Sequence, residues 1–366
     1  MKDVYRKWLE IDKSALRNNI NYIKSKLKSN TKIMAVVKAD SYGCGSVECS
    51  KLFLEQGAEF LAVSSLGEAI VLREHKINAP ILILGYVNTE NIKEAIENDL
   101  ILTVYDIEIC KEINKIAESI NKKVKVHINL NTGMNRLGFY YGKDDNKNKD
   151  TIKEIVKLSE LSNIKIEGIY SHFACEEKDE CKKQFDYFIK AINILESKNI
   201  LLGLKHICNS YAAINYPEFQ LDMIRPGLSL YGYGDEDLKP AMSFKTIVIN
   251  VFENDIGDGI SYNKTYISKE KEKIAVLPIG YADGLSRILS NNISFTINNK
   301  EYKQVGNICM DLCMVKVDNS IKLGDIVNIF GKDSNNTVLD LSNKIGTIPY
   351  EIICRMGKRL PRIYIK

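Results

Sequence analysis

Short runs rich in β-branched and apolar residues recur through the first two thirds of the chain with helical segments between them, an alternation that points to a parallel α/β fold. Eight such runs can be counted: Ile33–Lys38, Phe60–Ser64, Pro80–Gly85, Leu100–Tyr105, Lys123–Leu130, Ile164–His172, Leu204–Asn209 and Met223–Tyr231. Gly67–Lys76, Ile107–Ser119, Thr151–Leu161 and Cys181–Ser197 carry apolar residues at helical intervals. Strands joined by helical crossovers pair in parallel, and eight of them can close into a (β/α)8 TIM-type barrel. The charged, Asn-rich segment Gly142–Asp150 reads as a solvated loop after the fifth run. Beyond about Gly234 the pattern becomes short alternating runs, Phe244–Val251, Lys273–Pro278, Ile293–Ile297, Met314–Val317 and Ile326–Phe330, separated by polar turns. The expectation is an α/β barrel over residues 8–235 followed by a mainly β C-terminal domain over 236–366, which residues 1–10 join.

Length and composition agree with this division. The chain has 366 residues, 45% hydrophobic and 27% charged, with a net charge of +4 spread along it, so no basic stripe suggests nucleic acid. No apolar run approaches the ~18 residues of a membrane span, and the N-terminal stretch lacks an apolar leader core. A cytoplasmic protein with neither membrane nor nucleic-acid partner is expected. Its nine cysteines, Cys44, Cys49, Cys110, Cys175, Cys181, Cys208, Cys309, Cys313 and Cys354, show no C-x-x-C spacing and read as reduced thiols. The four histidines, His75, His127, His172 and His206, are far apart and form no metal motif.

Two residue types point to chemistry. Lys38 ends the apolar run that begins at Ile33 and stands directly before a Gly-containing turn. A desolvated ammonium tends to lose its proton and become a nucleophilic amine able to form a Schiff base, and the C-terminal end of a barrel strand is where ligands bind. A stem lying along the surface with its head in solvent is the other reading of such a lysine. Arginine is scarce, nine of 51 basic residues, which draws attention to positions needing a planar, permanently charged fork. Arg136 and Arg225 lie inside apolar motifs and are the ones to watch.

Taken together, AVVKADSYG, MNRLGF, HICNSYAA, IRPGLSLYG, GDGISYNKTY, PIGYADG, VGNICMD and TIPYE occur in one order across residues 35–351. In this the chain resembles the bacterial alanine racemase family of fold-type III pyridoxal-phosphate enzymes. The resemblance implies pyridoxal 5'-phosphate as cofactor, anchored as a Schiff base on Lys38. It implies phosphate contacts from Tyr42, Ser210, Tyr350 and the backbone near Gly227 and Leu228, and pairing of the pyridine nitrogen with Arg225. His172 matches the residue that packs on the ring and supports that arginine. Two bases on opposite faces of Cα are implied: Lys38, and Tyr262 reaching in from a neighbouring subunit of a homodimer with shared active sites. Arg136 would orient the cofactor phenolate and the substrate carboxylate, which the backbone at Met310 would help to hold.

Several positions depart from the family pattern. Asn129 stands where many members carry a carbamylated lysine, so Arg136 needs another partner such as a bound anion. Asn307 replaces an arginine common near the substrate entry, while Arg287 and Glu177 keep the charges expected there. Ser41 and Cys44 replace a common alanine and histidine. The activity implied is interconversion of L- and D-alanine, supplying D-alanine for peptidoglycan. Within the same fold a serine racemase or a broad-specificity amino-acid racemase stays open, the RMGKRLPR ending leaning toward that branch and Tyr350 against it. A pyridoxal-phosphate decarboxylase would need an acidic partner for the pyridine nitrogen and a glycine-rich phosphate loop. A non-enzymatic single-barrel cofactor carrier would lack both Tyr262 and the C-terminal domain.

Overall fold

The computed structural model describes residues 6–366, which divide into two compact units. One comprises Arg17–Ser41 and Ser46–Leu238; the other comprises the described residues through Leu16, Tyr42–Gly45 and Lys239–Lys366.

The first unit is a nearly closed barrel of eight parallel strands, the expected fold class. In sheet order these are Met223–Ile224, Lys32–Val36, Phe60–Val63, Ile81–Ile83, Ile101–Val104, Val124–Asn131, Ile164–Tyr170 and Leu204–His206. Met223 registers with Lys32, Met34 with Phe60, Leu61 with Ile81, and Gly168 with Leu204. The remaining seam has no ladder but is bridged by backbone bonds from Asp222 N to the Lys205 carbonyl (3.1 Å) and from Arg225 N to the Cys208 carbonyl (3.0 Å). Strands covered on both faces need apolar residues almost continuously, and Leu61, Ala62, Val63, Ile81, Leu82 and Ile83 are all fully buried. Tyr231 and Phe53 meet edge to face at 5.9 Å, and each such buried aromatic contributes roughly 1.5–3 kcal/mol through the area it removes from water.

Three expectations about elements are corrected. The segment Gly142–Asp150 is not a solvated loop: a helix runs Asp145–Ser159, capped by Asp144 Oδ1, which accepts from Asn146 N and Lys147 N at 3.0 and 3.2 Å. Buried Asn148 exchanges two bonds with the Gly142 backbone, so the charges lie on the exposed side of an ordered element. The run Met223–Tyr231 is a strand only at Met223–Ile224; Pro226 lacks an N–H to continue a ladder, and Leu228–Tyr231 forms a 3₁₀ turn. Phe244–Val251 is two strands, Met242–Ile247 and Asn250–Asn254.

The second unit is mainly β. Among the described residues nine strands form one sheet, in the order Asn250–Asn254, Glu272–Leu277, Cys313–Val317, Lys300–Val305, Ser294–Ile297, Ile326–Phe330, Met242–Ile247, Lys7–Asp12 and Arg362–Ile365. All neighbours are antiparallel except the last pair, where Leu9 registers in parallel with Arg362. Ile260, Ile274 and Val305 form a buried cluster, with Tyr266 and Met314 packed on it. No helix among the described residues is long and apolar enough to cross a membrane.

Candidate active site

Lys38 follows the strand Lys32–Val36 and opens a turn whose backbone is left-handed. Ala39, Asp40, Ser41 and Tyr42 have φ of 52°, 53°, 52° and 54°. For L-residues this conformation costs roughly 1–2 kcal/mol each, so the surroundings must hold it. Glu68 does much of this: its carboxylate accepts from Ala39 N and Ser64 N, both at 2.7 Å. Asp40 Oδ1 accepts from Ser46 N at 2.7 Å, and Ser41 N donates to the Val37 carbonyl at 3.0 Å. Lys38 itself is half-buried at the start of this pinned turn.

Arg225 is buried in the barrel. One terminal nitrogen pairs with His206 Nδ1 at 2.7 Å; the other donates to the Ser171 carbonyl at 2.7 Å and pairs with His172 Nδ1 at 3.2 Å. Sequence reasoning named His172 as the supporting imidazole, yet His206 makes the shorter bond. Behind it, His206 Nε2 meets His127 Nδ1 at 2.9 Å. A guanidinium has only donors, so His206 Nδ1 must accept, His206 Nε2 carries the proton, and His127 Nδ1 accepts in turn. Burial first, then the Arg225 charge, pushes His127 and His172 down to about 3 and His206 well below its ordinary value. Burial lowers Arg225 to about 10, so a cation faces neutral imidazoles at neutral pH. Tyr170 stacks on His206 (5.1 Å, 7°) and lies 5.0 Å from the guanidinium carbon. Gly168 leaves room for this arrangement, since a Cβ there would lie 2.7 Å from the His127 ring.

Ser210 opens the short helix Ser210–Asn215, which Asn209 caps. Its hydroxyl accepts from Gly227 N (2.8 Å) and Ser229 N (3.3 Å), gathering the N–H groups at the start of the Leu228–Tyr231 turn. Ser229 Oγ is buried there without a hydrogen-bond partner. Arg136 is exposed in the loop after Val124–Asn131, and its positive charge is one cause of the His172 depression. Asn129 Nδ2 donates to the Leu137 carbonyl at 3.3 Å, bracing this loop from below the arginine.

The remaining candidates belong to the second unit. Tyr42, buried, lies 6.1 Å ring to ring from Tyr350 in the helix Pro349–Cys354; burial, then Tyr350 and Cys354, raises its phenol well above the usual range. Tyr262 and Met310 are 69% and 53% exposed. Tyr262 starts a 3₁₀ turn flanked by positive φ at Ser261 (65°), Asn263 (61°) and Lys264 (47°). The Met310 carbonyl accepts from Ala282 N at 3.1 Å, tying that segment to the turn Tyr281–Asp283. The barrel unit thus carries Lys38, Arg136, His172, Ser210, Arg225, Gly227 and Leu228, and the structure joins His172 to Arg225 and Ser210 to Gly227 directly. Missed from sequence were His206, His127 and Tyr170; the only local signal was the position of His206 at the head of HICNSYAA.

Two family profiles match the chain: one described as Alanine racemase, N-terminal domain, over residues 11–235, and one described as Alanine racemase, C-terminal domain, over residues 241–364. Among curated proteins the chain is similar to an alanine racemase from Methanococcus maripaludis, 44% identical over 98% of each chain. It is also similar to one from Clostridium tetani, 41% identical over 98% of this chain and 95% of that one. Among solved structures, the alanine racemase of Clostridium difficile 630 superposes with a TM-score of 0.94 at 36% identity, covering 99% of this chain and 96% of that one. The Bacillus anthracis alanine racemase with bound L-Ala-P gives 0.91 at 34% identity, covering 99% and 95%.

Proposed function

The chain belongs to the alanine racemase family, and from that premise we propose that it interconverts L- and D-alanine on pyridoxal 5'-phosphate, with Lys38 and Tyr262 transferring protons at opposite faces of Cα. The observation that carries this reading is the buried Arg225, bonded to neutral imidazoles and backbone carbonyls. When bound, the cofactor holds the substrate amino group and draws electron density from Cα, less strongly while its ring nitrogen stays unprotonated. Arg225 would keep it so, because a guanidinium donates a hydrogen bond without readily giving up its proton. Brief removal and return of the α proton is then favoured over deeper rearrangement. His206, His127 and Tyr170 hold Arg225 in place, and a cation already surrounded by acceptors has little freedom to turn away.

The donor set suits the cofactor phosphate. The Gly227 and Ser229 amides converge on Ser210, the partnerless Ser229 Oγ lies beside them, and Tyr42 is kept protonated by burial and can donate. Tyr42, Ser210, Tyr350, Gly227 and Leu228 would hold the phosphate, while Arg136 and the Met310 backbone would receive the substrate carboxylate. Tyr262 and Met310 are exposed alongside Tyr281, Ile288 and Leu312, which supports a homodimer in which a second copy covers this surface and each copy lends Tyr262 to the other. We place the enzyme in the cytoplasm, supplying D-alanine for peptidoglycan; its nine cysteines, without paired spacing, suit a reducing compartment.

The test is racemisation of L-alanine and L-serine side by side by the purified, cofactor-loaded protein, with chiral separation of the products. Alanine should turn over faster, by up to about 10²-fold if an apolar pocket meets the side chain. Equal or faster serine turnover would overturn alanine as the substrate.

A further inference from the structure

We infer that Asn307 is a positioning residue for Tyr262, holding the tyrosine's backbone in the conformation from which its phenol reaches Cα. The inference rests on the role proposed above for Tyr262. Asn307 is 8% exposed, and its Nδ2 donates to the Tyr262 carbonyl at 2.8 Å. Because that oxygen can only accept, the nitrogen of the amide must face it. The link is reciprocal: Ser261 Oγ donates to the Asn307 carbonyl at 2.6 Å. Cys309 Sγ lies 3.3 Å from the same hydroxyl.

This clamp grips a backbone that does not hold itself. Ser261 has φ 65° and ψ −175°, a region occupied almost solely by glycine, and Asn263 and Lys264 follow at positive φ. The two segments touch directly. A Cβ at Gly306 would lie 2.8 Å from the Ile260 carbonyl and 2.9 Å from Ser261 Cβ, so only glycine lets the Asn307 strand approach this closely. Elsewhere in the family an arginine is common at this position. The shorter amide here turns inward onto the tyrosine's own carbonyl instead of presenting a charge.

The experiment uses the cofactor-loaded enzyme in deuterium oxide. For each alanine enantiomer, deuterium gained by the recovered starting enantiomer is compared with conversion to the other, in wild type, Tyr262→Phe, Asn307→Asp and the double variant. Asn307→Asp sets a carboxylate against the carbonyl at unchanged size, and Asn307→Ala removes the donor without adding charge should the aspartate variant not fold. With Tyr262 misplaced by a fraction of an ångström, conversion should fall about 10- to 100-fold, while Lys38-dependent wash-in to D-alanine is retained. The double variant should lose no more than Tyr262→Phe alone, because both changes remove one function. In the cofactor-free protein, amide hydrogen exchange of residues 261–267 should rise about tenfold in Asn307→Asp with the rest unchanged. If Tyr262→Phe leaves the ratio of wash-in to conversion untouched, the role of Tyr262 itself is wrong. If Tyr262→Phe shifts that ratio and neither Asn307 variant does, or wash-in and conversion fall together, the positioning role is overturned while Tyr262 keeps its own.

Discussion

At the scale of single residues, the pairing of Arg225 with His206 and of His206 with His127 makes a testable demand on protonation. His127 is fully buried, and its pKa falls from 6.5 to about 3. Between those values the unfolded chain binds a proton that the native state refuses, so stability rises with pH across the window and is lost as pH drops from about 6.5 toward 3. Moving from pH 7 to pH 5 should cost about 2 kcal/mol through His127 alone. Urea titrations at the two pH values should show a smaller loss for His127→Asn than for wild type, and equal losses would place the proton elsewhere. Lys38 makes a second demand. Lys38→Ala should yield a protein that borohydride no longer links covalently to pyridoxal 5'-phosphate and that does not racemise alanine. A surviving adduct, located by mass spectrometry, would move the anchor to another amine.

At the scale of elements, the left-handed turn after Lys32–Val36 is the least self-sufficient piece of the barrel unit and the one closest in sequence to the proposed anchor. Four strained residues in a row stay in place because Glu68, from the neighbouring helix Leu66–Glu74, bonds the backbone on both sides of the strand pair. Glu68→Ala should lower stability by about 1–2 kcal/mol, discounted because the carboxylate is partly solvated, and should weaken cofactor binding by more than it slows a saturated enzyme. Chemical denaturation and a cofactor titration separate the two effects. Binding as tight as wild type would mean the turn keeps its shape without Glu68. The helix Asp145–Ser159 teaches the converse lesson: its cap signal, Asp144 before Asn146 and Lys147, was present in the chain, but density of charge disguised an ordered element as a loop.

At the scale of the whole molecule, the proposal places Lys38 and Tyr262 of any one site on different copies of the chain, and that arrangement can be tested by mixing. Lys38→Ala and Tyr262→Phe homodimers should each be nearly inactive. Unfolded together and refolded as a mixture, they should recover about a quarter of wild-type activity, because half the dimers are mixed and each contains one intact site. No recovery, with mixed dimers demonstrated by mass, would put Tyr262 in its own subunit's site.

The sequence alone determined the eight barrel strands, the change to a β domain near Gly234, Lys38 at the end of the first barrel run, and the order of motifs from AVVKADSYG to TIPYE. These are local features, because strand alternation, turn chemistry and a lysine after an apolar run are set by residues within a few positions of one another. Only the tertiary structure decided which imidazole holds Arg225, that His127 stands behind it, that Gly168 makes the space, and that Asn307 reaches the carbonyl of Tyr262. Those partners lie 19, 79 and 45 residues apart for the Arg225–His206, His206–His127 and Asn307–Tyr262 contacts. A hydrogen bond a few tenths of an ångström wide in tolerance depends on the register of strands that meet only when the sheet forms. No periodicity in the chain encodes that register by itself.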